Sequence, residues 1–270
     1  MFRRLCAFAL AGCLGAAPAS SEVVRAHYTV SLVGLHIGDA VAVGSIDPSS
    51  YRIDFNVHLT GVAAMVSNVK LALRSTGALR NGAVAPATFT TISSNDRETR
   101  TVRMSLNAGN VKAVDISPPW DDLFNRVPVT EAHKRNILDP LSAFVMAVPE
   151  GQPLVGASAC NRTLPVYDGF VRFNVALSYV GTRDVSVSGY SGPVSVCAAR
   201  YTPISGHKRD SRSAKFMSEN REIEAWLAPL PHAHVVVPLR VALTTLAGAA
   251  VIEAVDFTIQ ASDVAATTAH

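Results

Sequence analysis

The sequence predicts a mainly β, antiparallel fold in one domain. Three observations predict it. Tyr51 to Leu59 alternates strictly, with Tyr51, Ile53, Phe55, Val57 and Leu59 on one face and Arg52, Asp54, Asn56 and His58 on the other. Runs rich in β-branched residues recur along the chain between Gly, Pro and Asp turn signals. No repeat and no low-complexity linker divides the 270 residues, a length that one all-β domain commonly reaches.

Residues 1–19 read as a secretory signal, followed by one β domain over 20–260 and a frayed tail over 261–270. Arg3 and Arg4 form the positive region, Leu5 to Ala17 the uncharged apolar region, and Ala17-Pro18-Ala19 a small-x-small cleavage pattern. The apolar run is shorter than the about 20 residues that span a bilayer. A second site competes. Leu10-Ala11-Gly12-Cys13 reads as a lipobox, which would leave an acylated, membrane-anchored Cys13. The expected location is periplasmic, with a membrane-anchored lipoprotein through Cys13 as the alternative. Without Arg3 and Arg4 the balance is 22 basic to 21 acidic residues. That near-neutrality offers no electrostatic footprint for nucleic acid.

Strands follow in order. Val23 to Val33 leads through the turn Gly34 to Gly38 into Asp39 to Ile46, and Asp47-Pro48-Ser49-Ser50 turns the chain into Tyr51 to Leu59. Gly61 to Val69 has the composition of a short helix. Lys70 to Thr76, Phe89 to Ser94, Thr99 to Asn107 and Val111 to Ile116 continue the pattern until Pro118-Pro119-Trp120-Asp121-Asp122 breaks it. Asp139 is placed to cap a helix with Pro140 at its first position. Leu141, Phe144, Val145 and Val148 recur at helical spacing, and Pro149 and Gly151 end the segment. Val171 to Val180, Asp184 to Val187, Val194 to Thr202, Glu222 to Leu227, Val235 to Thr244 and Ala249 to Gln260 return to strand.

Outside the signal only Cys160 and Cys197 remain, and an even pair in an exported chain predicts a disulfide. A thiolate nucleophile or metal site has no Cys-x-x-Cys and no adjacent His to support it. His232 and His234, two apart, would share a face if extended and form the best, though weak, metal candidate; zinc needs further ligands. Gly189-Tyr190-Ser191-Gly192 is one residue short of a nucleophile elbow and reads as a hairpin turn. His207 to Arg212 is a basic loop without interleaved aromatics. Asp121 and Asp122 point apart on an extended chain. Asn161-Arg162-Thr163 is a glycosylation sequon only on a eukaryotic secretory route. No phosphate-cradling glycine loop is present and no cofactor is expected. The strands lack the aromatic girdles of an outer-membrane barrel.

Tyr28, Gly34 and Ile37-Gly38, then Ser75, Gly77, Gly82 and Pro86, then Asp139-Pro140-Leu141-Ser142-Ala143 form an ordered set. Tyr167-Asp168-Gly169 with Arg172 follows, then Cys197, Tyr201, Pro203, Gly206, Trp226-Leu227, Pro238 and Gly248. In these residues the chain resembles the bacterial domain-of-unknown-function family 3108. The resemblance implies an exported protein with one highly curved antiparallel sheet, a β-spiral or open barrel, wrapped around a central helix. That architecture is similar to the periplasmic lipoprotein carriers. It implies no activity and no catalytic residues.

The expected function is a non-enzymatic envelope protein whose concave apolar face binds a lipid or other apolar ligand, or a protein partner. Against it stands a helix that fills the concavity as core. An envelope hydrolase or metal-dependent enzyme assembled from distant residues, and a purely structural assembly factor, are the alternatives.

Overall fold

The computed structural model describes residues 21–60, 69–80 and 82–262. The signal segment, Cys13, the short helix expected within Gly61 to Val69 and nearly all of the expected tail lie outside these residues. Among the described residues, fourteen strands form one antiparallel sheet. They are β1 (Ser21–Leu32), β2 (Leu35–Ile46), β3 (Ser50–Leu59), β4 (Lys70–Arg80), β5 (Ala83–Ser94), β6 (Thr99–Asn107), β7 (Asn110–Ser117), β8 (Met146–Ala147), β9 (Arg162–Tyr167), β10 (Arg172–Val187), β11 (Tyr190–Ser205), β12 (Ile223–Leu230), β13 (Val235–Thr245) and β14 (Gly248–Ser262). β14 thus runs two residues past the expected start of the tail. The expected breaks inside the second half close up, because β10 carries the chain from Arg172 to Val187 through a bulge at Tyr179/Gly181.

The order β7-β6-β5-β4-β3-β2-β1-β14-β13-β12-β11-β10-β9 makes two meanders joined along a β1/β14 seam. Sequential hairpins explain both halves, since short turns favour antiparallel neighbours. The sheet is not closed: β7 and β9 are its free edges. The connection between them draws the two ends together. Ile137 donates its N–H to Gly109 O at the β6–β7 turn, and Leu138 exchanges backbone bonds with Pro165 and Tyr167 of β9. Pro165 sits on an edge strand, where a missing N–H is tolerated; this proline obscures β9 in the sequence.

The central helix expected from Leu141 to Val148 is not formed. Ser142–Phe144 makes one 3-10 turn, Val145 is extended (φ −97°, ψ 102°), and Met146–Ala147 becomes β8. β8 pairs with Val235 and Val236 of β13, and Val148 N–H donates to His234 O. Two physical reasons decide this. Val145 and Val148 are β-branched and poor in helices. The segment also serves two cores at once: Leu141 and Val145 pack with Tyr51, Phe89 and Phe257, whereas Ala143, Met146 and Val148 pack with Leu164, Leu177 and Leu227. Extended backbone presents side chains to opposite sides, as this requires. This segment, the plug, is therefore a turn and a strand packed against both cores rather than a helix.

Two helices appear where none was expected. α1 (Ala157–Cys160) is one turn. α2 (Arg212–Glu219) follows the basic loop and is N-capped by Ser211, whose Oγ accepts from Ala214 N–H at 3.2 Å.

Candidate functional site

The Asp139-Pro140-Leu141-Ser142 segment forms a polar lock. Asp139 is fully buried. Its Oδ1 accepts the N–H groups of Leu141 and Ser142, both at 3.0 Å. Its Oδ2 accepts the Ser142 hydroxyl and the Ser75 hydroxyl, the latter at 3.0 Å. The Ser142 and Tyr51 hydroxyls share a 2.5 Å hydrogen bond. The carboxylate thus holds the backbone leading into the 3-10 turn and ties the plug to β3 and β4. Gly77 makes room for it: a Cβ there would come within 2.6 Å of Ala85 O and strike the Tyr51 ring. Burial pushes the Asp139 carboxyl above its ordinary range, against the hydrogen bonds from Ser142, Ser75 and Leu141. Burial likewise raises Tyr51, with the Asp139 charge adding to the effect.

Beside the lock lies an apolar cavity of about 170 Å³. It straddles the seam. β1 supplies Val24 and Tyr28, β3 supplies Ile53 and Phe55, β14 supplies Ile252 and Phe257, and the plug supplies Leu141 and Phe144. Tyr28, Phe55 and Phe144 meet edge to face, with centroids 6.1 and 6.5 Å apart. The Tyr28 hydroxyl donates to Pro238 O at 2.9 Å, which brings two of the family-like residues together. Burial raises the Tyr28 hydroxyl, so it stays a neutral donor. Of the apolar β3 face, Tyr51 and Ile53 are buried, whereas Phe55, which borders the cavity, Val57 and Leu59 are half-buried. Asp54 is partly buried and ion-paired with Arg52 and Arg74.

A wider groove of about 700 Å³ runs over the inner faces of β4, β5 and β6. Leu71, Leu73, Phe89 and Val102 form part of its lining, together with Pro140 and Asp168. One wall is a stack. Arg100 lies 3.6 Å over the Trp120 ring, Trp120 packs on Phe170 at 5.1 Å, and Arg126 covers Phe170 at 4.6 Å. Asp168 Oδ1 holds the Phe170–Val171 turn through their N–H groups at 2.8 and 2.6 Å, and burial raises its carboxyl. Tyr167 is buried and donates to Gly169 O at 2.8 Å. Gly169, at φ +100°, lets this turn sit against β6, since a Cβ would lie 2.5 Å from Val102 Cγ1. Arg172 bonds to Asn174 Oδ1 at 2.7 Å and to Phe173 O. Asp139 to Ser142 thus belong to the lock and Tyr167 to Gly169 to this turn, so these two family-like segments do not form one cluster.

Cys160 and Cys197 are bonded, with Cα atoms 5.5 Å apart, and join α1 to β11. His232 and His234 do not share an extended face. Residues 231–234 form a turn, in which His234 N–H donates to Pro231 O and the His234 ring bonds Pro149 O at 3.2 Å. The backbone N–H of His232 and of Ala233 bond the Glu22 carboxylate. Among the described residues, no group of three or more His, Cys, Asp or Glu is placed to hold a metal ion. Gly189 lies in the turn of the β10–β11 hairpin, and Ser191 pairs within it opposite Ser186. The stack residues Arg100 and Phe170 escaped sequence reading, as did the part Tyr51 plays in the lock. A tyrosine hydroxyl on an otherwise apolar strand face was the available hint, since a buried hydroxyl needs a partner.

No curated protein sequence matches the chain. Among solved structures it is similar to a β-barrel-like protein of domain of unknown function DUF1849 from Brucella abortus. The identity is 10% and the TM-score 0.47, over 90% of this chain and 98% of that one. It is also similar to the hypothetical protein CT021 from Chlamydia trachomatis, at 9% identity and a TM-score of 0.25, over 95% of each chain. The family model described as "Protein of unknown function (DUF3108)" matches residues 27–255. That match takes in the plug, both meanders and the seam, and the chain belongs to the DUF3108 family.

Proposed function

We propose that this chain is an exported, non-enzymatic envelope protein that holds an apolar ligand, or an apolar element of a partner, against the inner face of its curved sheet. One observation carries the reading: the plug does not fill the concavity. Phe144 is 40% exposed, and the cavity it borders is walled almost wholly by carbon. An apolar cavity of about 150 Å³ is large enough to bind benzene. The space beside Phe144 therefore suits the end of an acyl chain or one large apolar side chain. The separate groove over β4, β5 and β6 is of a size common for ligand sites. The signal pattern in residues 1–19 supports export.

The protein is expected in the periplasmic fraction, with lipid recoverable by solvent extraction of the purified chain. A fluorescent fatty acid should bind it in lipid-free buffer. Ala42→Phe places a ring in the cavity that Ala42 lines and should weaken that binding at least about tenfold, as expected when buried apolar contact is lost. The melting temperature should hold. Equal binding by the filled variant, or no binding by the parent chain, would remove the ligand reading.

A further inference from the structure

Two hairpin tips meet at one end of the seam. The β1–β2 turn is Val33-Gly34, and the β13–β14 turn is Leu246-Ala247. Val33 N–H donates to Ala249 O at 2.7 Å, and the Val33 side chain lies against Gly248. The joined tip displays Val33, Leu35 and Leu246 at 63%, 71% and 58% exposure. Folding alone does not ask for these residues. Val33 has φ +51° and Gly34 φ +76°, a turn that favours Asn-Gly. A β-branched residue in the left-handed region is strained, and such strain gathers where function maintains it.

The tip is continuous with the cavity. Along the seam the cross-strand pairs Ala26/Phe257, Tyr28/Ala254, Val30/Ile252 and Leu32/Ala250 are all apolar, and they run from the cavity wall to the tip. Its shape limits what can cover it. Three aliphatic side chains on two protruding turns fall far short of the about 800 Å² per partner that a stable protein interface buries. Three such side chains carry about as much hydrocarbon as one acyl chain, enough for weak, reversible binding to a bilayer surface.

We propose that this composite tip inserts into the surface of a lipid bilayer. The inference goes beyond the ligand reading and stands or falls separately from it. The test uses the exported chain carrying Cys13→Ser, so that no acyl anchor contributes, and vesicles of phosphatidylethanolamine and phosphatidylglycerol. Leu35→Trp should shift its emission to the blue on adding vesicles and be quenched by lipids brominated on their acyl chains. Val255→Trp, exposed in the middle of β14, should do neither. The triple variant Val33→Asn, Leu35→Ser, Leu246→Ser should cosediment with vesicles at least about tenfold less well, given the apolar surface removed. It should melt no lower than the parent, because Asn relieves the strained position. Its fatty-acid binding in lipid-free buffer should be unchanged, which keeps a failure of docking distinct from a failure of the cavity reading. No emission shift at position 35, or undiminished cosedimentation of the triple variant, overturns the proposal. So does a variant that loses an envelope protein partner yet still binds vesicles.

Discussion

Asp139→Ala is expected to destabilise the protein by about 3–5 kcal/mol, the scale of other broken buried polar networks. Alanine removes the acceptor of four hydrogen bonds. The Leu141 and Ser142 N–H groups then have no partner in a space that excludes water. Urea unfolding measures the loss, and a change below about 1 kcal/mol, the size of one ordinary hydrogen bond, would mean that the lock is not a lock. Asp139→Asn separates charge from geometry. Its carbonyl can still accept the two backbone N–H groups, and the neighbouring hydroxyls can rotate to accept from its amide. The two substitutions should also differ in pH response. The folded carboxyl is raised above its unfolded value, so the folded state binds the proton more tightly. The stability it contributes is full below the unfolded value of about 3.9 and declines as pH rises through the folded one. Parent minus Asp139→Asn stability should therefore fall as pH rises from acid towards neutrality. A rising difference would show that the charged form is the one the fold prefers, and a flat one that it prefers neither.

Removing the disulfide should be nearly as costly. The bridge spans 37 residues, which corresponds to about 4 kcal/mol in the chain-entropy account. Both half-cystines are buried among Leu164, Leu177, Leu227 and Val236. The pair Cys160→Ala with Cys197→Ala should melt about 8–16 °C below the oxidised parent. Far-UV dichroism should be retained, because β11 is also held by its neighbours β10 and β12. Mass spectrometry of the exported protein should find both thiols blocked before reduction. Two free thiols, or coincident melts of the oxidised and substituted chains, would contradict the structural role.

What could be read from the sequence was whatever local patterning controls. β3 announces itself because one of its faces is core, and period-two alternation is the direct record of that. The cysteine pair was legible because few alternatives existed for two thiols. Asp139 was read as a helix cap; its carboxylate does accept the Leu141 and Ser142 N–H groups, but the cap of the observed 3-10 turn is Leu141, and the first turn of a helix and an isolated 3-10 turn share one local signature. The choice between them is made by Val235 and Val236, which accept β8 as a partner strand. Nothing near Met146 encodes that pairing. The lock was illegible for the same reason: Tyr51 and Ser75 lie 91 and 67 residues from Ser142. The cavity could not be foreseen either, since half-burial of Phe55 and Phe144 depends on how far the plug falls short of the sheet. α2 was hidden because its opening residues extend a run of charge that reads as loop.

The seam bears on how the molecule comes into being. Every other pairing on the main path joins sequence neighbours, but at the seam Ser21 lies opposite Ser262, and Tyr28 bonds a carbonyl 210 residues away. A chain made from its N-terminus presents β1 long before β14 exists. Until the last strand arrives, the first meander has two bare edges, each open to wrong pairing. Closing so large a loop is slow, and it comes after the local hairpins are in place. The cavity wall, shared between β1 and β14, is thus absent from every partial chain. Whatever this pocket is for, it comes into existence only in the finished molecule, and the same final event joins the two apolar turns into one tip.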